Sequence, residues 1–231
     1  MINHLIKLKL INKLCLSRFI SSADGSLSSL SDYVSRMKDK QEHIFYMAGG
    51  SKAEVEASPF VERLLKKGYE ILYLTEAVDE YAISALPEFE GKKFQNVAKE
   101  GFSIDGDTDA AKSRKAELSA TFEPLLKWMG EEALKDHILK AEISERLTNS
   151  PCALITSKFG WTANMQRIIQ SQTHSKSQDM QRDYYLTQKK TMEVNPRHPL
   201  IKEMLRRIED NPADNTAKDM ALMLYNTATL R

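Results

Sequence analysis

Cysteine is scarce in this chain, since only Cys15 and Cys152 occur among 231 residues. They form no C-x-x-C pair and the five histidines are scattered singly, so neither a zinc site nor a disulfide framework is indicated. No charge of one sign dominates either, because 33 Lys and Arg balance 32 Asp and Glu. Without the basic excess of a phosphate-backbone binder, nucleic acid is not expected as a partner.

Long apolar runs are also missing. No stretch approaches the ~18–20 uninterrupted apolar residues that cross a bilayer, so we expect no membrane span. What the sequence does have is length: 231 residues can bury a substantial core and form one large domain or two of ordinary size.

The N-terminal segment 1–23 carries basic side chains and no acid before Asp24. Acid-poor, amphipathic segments of this kind can be transit peptides. The competing interpretation, which we favour, is a surface helix whose apolar residues recur at helical spacing, namely Leu5, Leu8, Ile11 and Cys15. The Ser-rich run 21–31 is then predicted to be a loop.

The first half of the chain alternates between strand and helix signals. Apolar runs rich in β-forming residues predict buried strands at 43–48, 70–75 and 94–98. Capping and stop signals predict helices at 31–40, 60–68 and 79–86. Gly68 is expected to take the left-handed position after the second helix. This alternation is typical of an α/β fold with a small parallel layer of strands.

The second half follows a polar segment, 101–114, that predicts a domain boundary. A long helix is expected from 111 to 140, kinked or divided at Pro124. Further strands are predicted at 141–148, 152–157 and 190–194, and further helices at 161–172, 199–208 and 216–230. Because these elements do not alternate regularly, we expect an α+β domain. The last helix has an apolar stripe that needs a partner, formed by Met220, Met223, Leu224 and Tyr225.

Motifs that could carry chemistry are weak. The turn Gly49–Lys52 lies between a strand and a helix but lacks the first glycine of a phosphate loop, so a plain turn is favoured. The acidic run 105–109 lacks the glycine and the bidentate Glu of a calcium loop, so a solvated linker is favoured. The pairs Asp79-Glu80 and Glu131-Glu132 are most simply solvated helix faces, and no catalytic constellation is present.

The helix predicted to start at Trp161 is more informative. Its apolar residues Trp161, Met165, Ile168 and Ile169 form a narrow stripe surrounded by polar side chains. The pattern alone favours an ordinary core-facing helix. The alternative is a deformable apolar patch for varied partners, because Met adapts its shape and Trp offers a large contact area.

Three segments carry a family resemblance: SPFVERLLKKGYEILYLTEAVDEYAISALPEFEGKKFQNVAKEG (58–101), RLTNSPCALITSKFGWTANMQRI (146–168) and NPRHPL (195–200). These motifs resemble the heat-shock protein 90 chaperone family, and most closely its endoplasmic-reticulum members. The resemblance runs from about Leu27 to the end of the sequence, and the segment 1–26 matches poorly.

The resemblance implies a dimeric, ATP-driven clamp that remodels client proteins. Residues 27–100 would be the end of its middle domain, 101–114 a linker, and 115–231 a C-terminal domain truncated before the dimerisation helices. The ATP-binding domain would precede all of these. We therefore expect this chain not to hydrolyse ATP by itself and to hold no cofactor or metal, since ATP and magnesium belong to the full-length family member.

In the family, the helix matching Trp161 projects into the clamp cleft and contacts client. The resemblance therefore implies a client-binding site at Trp161, Asn164, Met165, Ile168 and Ile169. Expected partners are unfolded or partly folded clients, co-chaperones and, in the full-length member, a second copy. The compartment would be the endoplasmic-reticulum lumen, or the cytoplasm if the chain has no signal. The alternative function is a standalone α/β nucleotide-binding protein using the turn Gly49–Lys52.

Overall fold

The computed structural model describes residues 18–86, 88–102, 104, 109–157, 162, 164–167 and 188–230. The described residues form two compact units. Unit 1 comprises those within Met1–Ala98 and Trp161–Ser177, and unit 2 those within Lys99–Gly160 and Gln178–Arg231. A segment distant in sequence is thus part of unit 1.

Unit 1 is built on a mixed six-stranded sheet with the strand order β2-β1-β4-β3-β6-β5. Its strands are β1 (Arg18–Ser21), β2 (Leu27–Ser29), β3 (His43–Ala48), β4 (Leu72–Leu74), β5 (Glu88–Phe89) and β6 (Lys92–Asn96). The central strand β3 is parallel to both of its neighbours, β4 on one side and β6 on the other. The other pairings are antiparallel, and they extend the parallel centre at both edges.

Between residues 18 and 86 the chain forms four helices: α1 (Leu30–Arg36), α2 (Lys52–Glu56), α3 (Glu62–Lys66) and α4 (Ala77–Ala85). Ser29 caps α1, because its side chain accepts from the Asp32 amide while the Asp32 carboxylate accepts from the Ser29 amide. Gly68 follows α3 with a φ of 70°, a left-handed conformation that costs glycine little.

Tyr33 of α1 is buried at the centre of unit 1. Its hydroxyl donates to the Glu70 carbonyl at 2.9 Å and accepts from the Phe45 amide and from Gln41 Nε2, both at 3.0 Å. Burial raises the pKa of this phenol, so it stays protonated. The buried hydroxyl thereby ties helix α1 to strand β3 and to the residues before β4.

Unit 2 places helices against a three-stranded sheet with the order β7-β9-β8. The elements are α5 (Asp109–Trp128), a π-helical turn (Met129–Ala133), β7 (Ile138–Ile143), β8 (Cys152–Ile155), β9 (Lys190–Val194), α6 (Pro199–Asp210) and α7 (Asn215–Thr229). Strand β9 is parallel to β7 and antiparallel to β8. The core between them includes Leu125, Met129, Met192, Ile201 and Ala221.

A buried ion pair lies in unit 2. Arg146, 2% exposed, places Nη2 2.5 Å from a carboxylate oxygen of Glu193 on β9. The other Glu193 oxygen accepts from the Ser144 hydroxyl at 2.6 Å. Arg146 also donates to the Lys99 carbonyl at 3.0 Å and stacks over the Phe102 ring. Arg146, which follows β7, therefore links this part of the chain to β9 and to residues 99–102.

Many predicted elements are confirmed, and some details are wrong. Strands β3 and β9 coincide with the predicted bounds 43–48 and 190–194. Arg18–Ser21 is a strand instead of a helix, because it pairs with the nearby β2 on one side and with β4, far along the chain, on the other. Leu27–Ser29 is a strand within the predicted loop. The helical path ends at 133 instead of 140, since Ile138–Ile143 joins the sheet.

A further correction concerns one residue of the stripe predicted for the last helix. Leu224 is buried and Met220 and Tyr225 pack against the core of unit 2, as predicted, but Met223 is 69% exposed. Ala217 and Ala221, which the prediction did not include, complete the buried face. Pro124 lies inside α5 without ending it.

Replacing Arg146 with Met tests the buried pair. We expect a loss of about 3–5 kcal/mol in the free energy of unfolding, because the Glu193 carboxylate would stay buried without its cation. Urea denaturation followed by circular dichroism measures this loss. The control is Arg206→Met on α6, whose exposed pairs with Glu203 and Asp210 should be worth less than about 1 kcal/mol. Equal losses in both variants would contradict the assignment.

Candidate functional site

Two of the five residues predicted to contact clients lie in the described part of the chain. Residues 164–167 form a helical turn, and within it Asn164 is 7% exposed while Met165 is half-buried. Trp161, Ile168 and Ile169 lie outside the described residues. The geometry around the 164–167 turn is therefore the geometry of the candidate site.

Thr162 begins this turn. Its hydroxyl oxygen accepts from the Met165 amide at 3.1 Å, and its carbonyl accepts from the Gln166 amide at 2.9 Å. This is the N-cap arrangement, in which a threonine side chain satisfies an amide that the first helical turn leaves without a partner. Thr162 is 6% exposed, so the cap is shielded from water.

Helix α4 contacts this turn through the carboxylate of Glu80. The Thr162 hydroxyl donates to one Glu80 carboxylate oxygen at 2.7 Å, and Asn164 Nδ2 donates to the other at 3.4 Å. Glu80 is 4% exposed, so the prediction that it belongs to a solvated helix face is wrong. Local spacing could not reveal this burial, because the donors lie more than eighty positions away in sequence.

Arg167 makes a second connection, to Glu54 on helix α2. Its two terminal nitrogens donate to the two Glu54 oxygens at 2.6 and 3.2 Å. Glu54 also accepts from the Gly50 amide at 3.0 Å. The hydrogen bond from Arg167 lowers the pKa of Glu54 below its ordinary value of 4.5. This pair is partly solvated, since the Arg167 side chain is 54% exposed.

The same contacts bear on the turn Gly49–Lys52, the candidate phosphate loop. The Gly49 amide donates to the Leu74 carbonyl and the Gly50 amide to the Glu54 carboxylate. A phosphate would have to displace these bonds and approach a negative side chain. The turn therefore disfavours the nucleotide-binding alternative.

Helix α4, which carries Glu80, also exposes apolar side chains. Val78 is 67% exposed and Tyr81 is 47% exposed, and residues three positions apart share a helix face. The sequence patterns described above did not mark either residue. Both lie away from the buried Ile83 around the helix, and the exposure of their face is seen only in the structure.

The described residues contain neither a metal-binding cluster nor a membrane-spanning helix. Within the described ranges, no three His, Cys, Asp or Glu side chains are grouped to hold a metal ion. Residues 105–108 of the acidic run that was compared with a calcium loop lie outside the described residues. Among the helices that the structure describes, none has the length and apolar character needed to cross a bilayer.

Comparison with known proteins supports the family resemblance. The model of the family described as "Hsp90 protein" matches residues 7–231, which includes most of the segment 1–26. An endoplasmin homolog of Caenorhabditis elegans is 56% identical over 217 residues, covering 94% of this chain and 28% of the relative. An endoplasmin homolog of Arabidopsis thaliana is 45% identical over 210 residues, covering 91% and 24%. The chain thus spans about a quarter of the length of these relatives.

The Arg167–Glu54 pair predicts a pH-dependent contribution to stability. Because the pKa of Glu54 is lower in the folded state, its contribution is present above about pH 4.5 and is lost as the pH falls through the folded-state pKa. Glu54→Gln should reduce the free energy of unfolding by less than about 1 kcal/mol at pH 7. The difference from wild type should shrink towards pH 3.

Urea denaturation at a series of pH values measures this difference. Glu56→Gln on the same helix is the matched control, since the distance between the charged groups of Glu56 and Lys52 is a longer 3.6 Å. A Glu54→Gln difference that does not change with pH would rule out the ion pair as its cause.

Proposed function

The chain belongs to the Hsp90 family, and on that ground we propose that it is a client-contacting part of an ATP-dependent molecular chaperone. Residues 27–100 would correspond to the end of the middle domain and 115–231 to the C-terminal domain. Its partners would be unfolded or partly folded proteins, together with co-chaperones. In the full-length member it would form a homodimer. The names of the relatives support the endoplasmic-reticulum lumen as the compartment.

The proposed contact surface is the segment carrying Trp161, Asn164, Met165, Ile168 and Ile169. The observation that supports it is the turn 164–167, whose polar groups are engaged with Glu80 and Glu54. Asn164 holds the turn in this proposal, because its amide is buried against Glu80. Met165 is half-buried, and it offers the client an adaptable thioether side chain.

Affinity at such a surface would be low. Burial of apolar area contributes roughly 25 cal/mol per Å², so a few apolar side chains give weak contacts. Val78 and Tyr81 on α4 extend the exposed apolar area of unit 1. Weak contacts without directional polar groups suit partners of varied sequence, which is what unfolded clients are.

Changing Trp161 and Met165 together to Ser tests the proposal. We expect the variant to suppress aggregation of a chemically denatured model client at least several-fold less well, because the largest apolar groups of the surface are lost. Light scattering measures the suppression, and circular dichroism confirms that the variant is folded. The matched control changes two exposed apolar residues of unit 2, Leu139 and Met223, to Ser. Unchanged suppression by the folded double variant would refute the site.

The turn Gly49–Lys52 provides the test of the alternative function. In our proposal ATP and magnesium act in the full-length member, and no residue of this chain holds them. We expect isothermal calorimetry of the chain with ATP and magnesium to show no micromolar binding, because Glu54 occupies the approach to the Gly50 amide. Micromolar binding that Lys52→Ala abolishes would establish the nucleotide-binding alternative instead.

A further inference from the structure

We infer that Glu80 is a positioning residue: its buried carboxylate fixes the start of the 164–167 turn and thereby orients Met165 towards clients, without touching a client itself. The inference rests on the proposed function for its consequence, the orientation of a client contact. Its structural part rests only on the contacts of Glu80, Thr162 and Asn164.

The Thr162 hydroxyl donates one hydrogen bond and accepts another. A hydroxyl has one hydrogen to donate, and here it goes to Glu80 at 2.7 Å. The Glu80 oxygen accepts this hydrogen, and the contact fixes the orientation of the hydroxyl. The lone pairs of the oxygen then face the Met165 amide, which donates at 3.1 Å. Glu80 thus controls the cap of the turn through the Thr162 hydroxyl.

The residues that form this contact are buried. Glu80, Thr162 and Asn164 are 4%, 6% and 7% exposed, so water does not replace a bond that is lost. A buried carboxylate without donors is costly, which makes the contact between α4 and the turn mutually dependent. The Glu80 carboxylate also acts on its surroundings, because burial and then this charge raise the pKa of the neighbouring Tyr46 to about 12.

Two contacts, which we call ties, hold the chain on either side of Met165. The Glu80 tie holds residues 162 and 164, and the exposed Arg167–Glu54 pair holds the other end of the turn. Met165 lies between them. The two ties differ in strength, since a buried, charge-assisted bond is worth more than a solvated ion pair. Glu80 is therefore the tie on which the orientation of Met165 depends.

Thr162→Val, nearly isosteric with threonine, removes the hydroxyl while leaving Glu80 in place. We expect the Met165 and Gln166 amides to exchange about 10-fold faster in hydrogen-exchange NMR, as loss of a buried charge-assisted hydrogen bond implies. The Kd for a denatured model client, measured by fluorescence anisotropy, should rise several-fold. Thr162→Ser, which keeps the hydroxyl, should restore both values.

Glu80→Gln provides a second route, because its amide oxygen can accept from Thr162 while its nitrogen cannot accept from Asn164. It should give an intermediate effect, and combined with Thr162→Val it should add little. Ser84→Ala on the same helix is the matched control, since the Ser84 hydroxyl donates to the backbone carbonyl of Glu80 instead of to its carboxylate. In every variant the amides of β3 and β4 should keep their wild-type exchange.

The outcomes separate the two proposals. Wild-type exchange at Met165 and Gln166 in folded Thr162→Val would overturn the positioning role of Glu80. Faster exchange with an unchanged client Kd would support the tie and overturn client contact at this turn. Faster exchange spread over β3 and β4 as well would also overturn the inference, because it would show general destabilisation.

Discussion

A carboxylate removed from water must be met by hydrogen-bond donors, and this constraint shapes both units. In unit 1 the donors to Glu80 come from Thr162 and Asn164. In unit 2 the donors to Glu193 come from Arg146 and Ser144. In each case the donors lie far from the acid in sequence, so each buried acid brings together segments that the backbone alone would leave apart.

The two buried acids differ in their donors. Glu193 is neutralised by a guanidinium, which supplies a full opposite charge. Glu80 is met by a hydroxyl and an amide, which supply dipoles only. Dipoles stabilise a buried charge less than a cation does. The contact at Glu80 therefore depends on the positions of its two neutral donors, Thr162 and Asn164, whereas the Glu193 contact also gains from the opposite charge of Arg146. Exposed ion pairs such as Arg206–Glu203 contribute less to stability than either buried contact, because solvent screens their charges.

In the function that we propose, the 164–167 turn has two requirements: its apolar groups must be accessible, yet its backbone must not collapse into the core. Polar side chains that anchor the turn would meet both. Thr162 and Arg167 act at the two ends of the turn, with Met165 between them. The helix α4 that carries Glu80 leaves Val78 and Tyr81 exposed in the same unit.

Local sequence patterns by themselves determined strands β3 and β9, the turn at Gly68 and the motifs that mark the family, because each depends on neighbouring residues or on conserved order along the chain. They also predicted an apolar stripe on the helix at residue 161. Only the tertiary structure decided that Glu80 is buried and that Arg18–Ser21 is a strand. The donors to Glu80 lie more than eighty positions away, and β1 pairs with β4 more than fifty positions away as well as with the nearby β2. Hydrophobic periodicity carries no information about pairing over the longer separations.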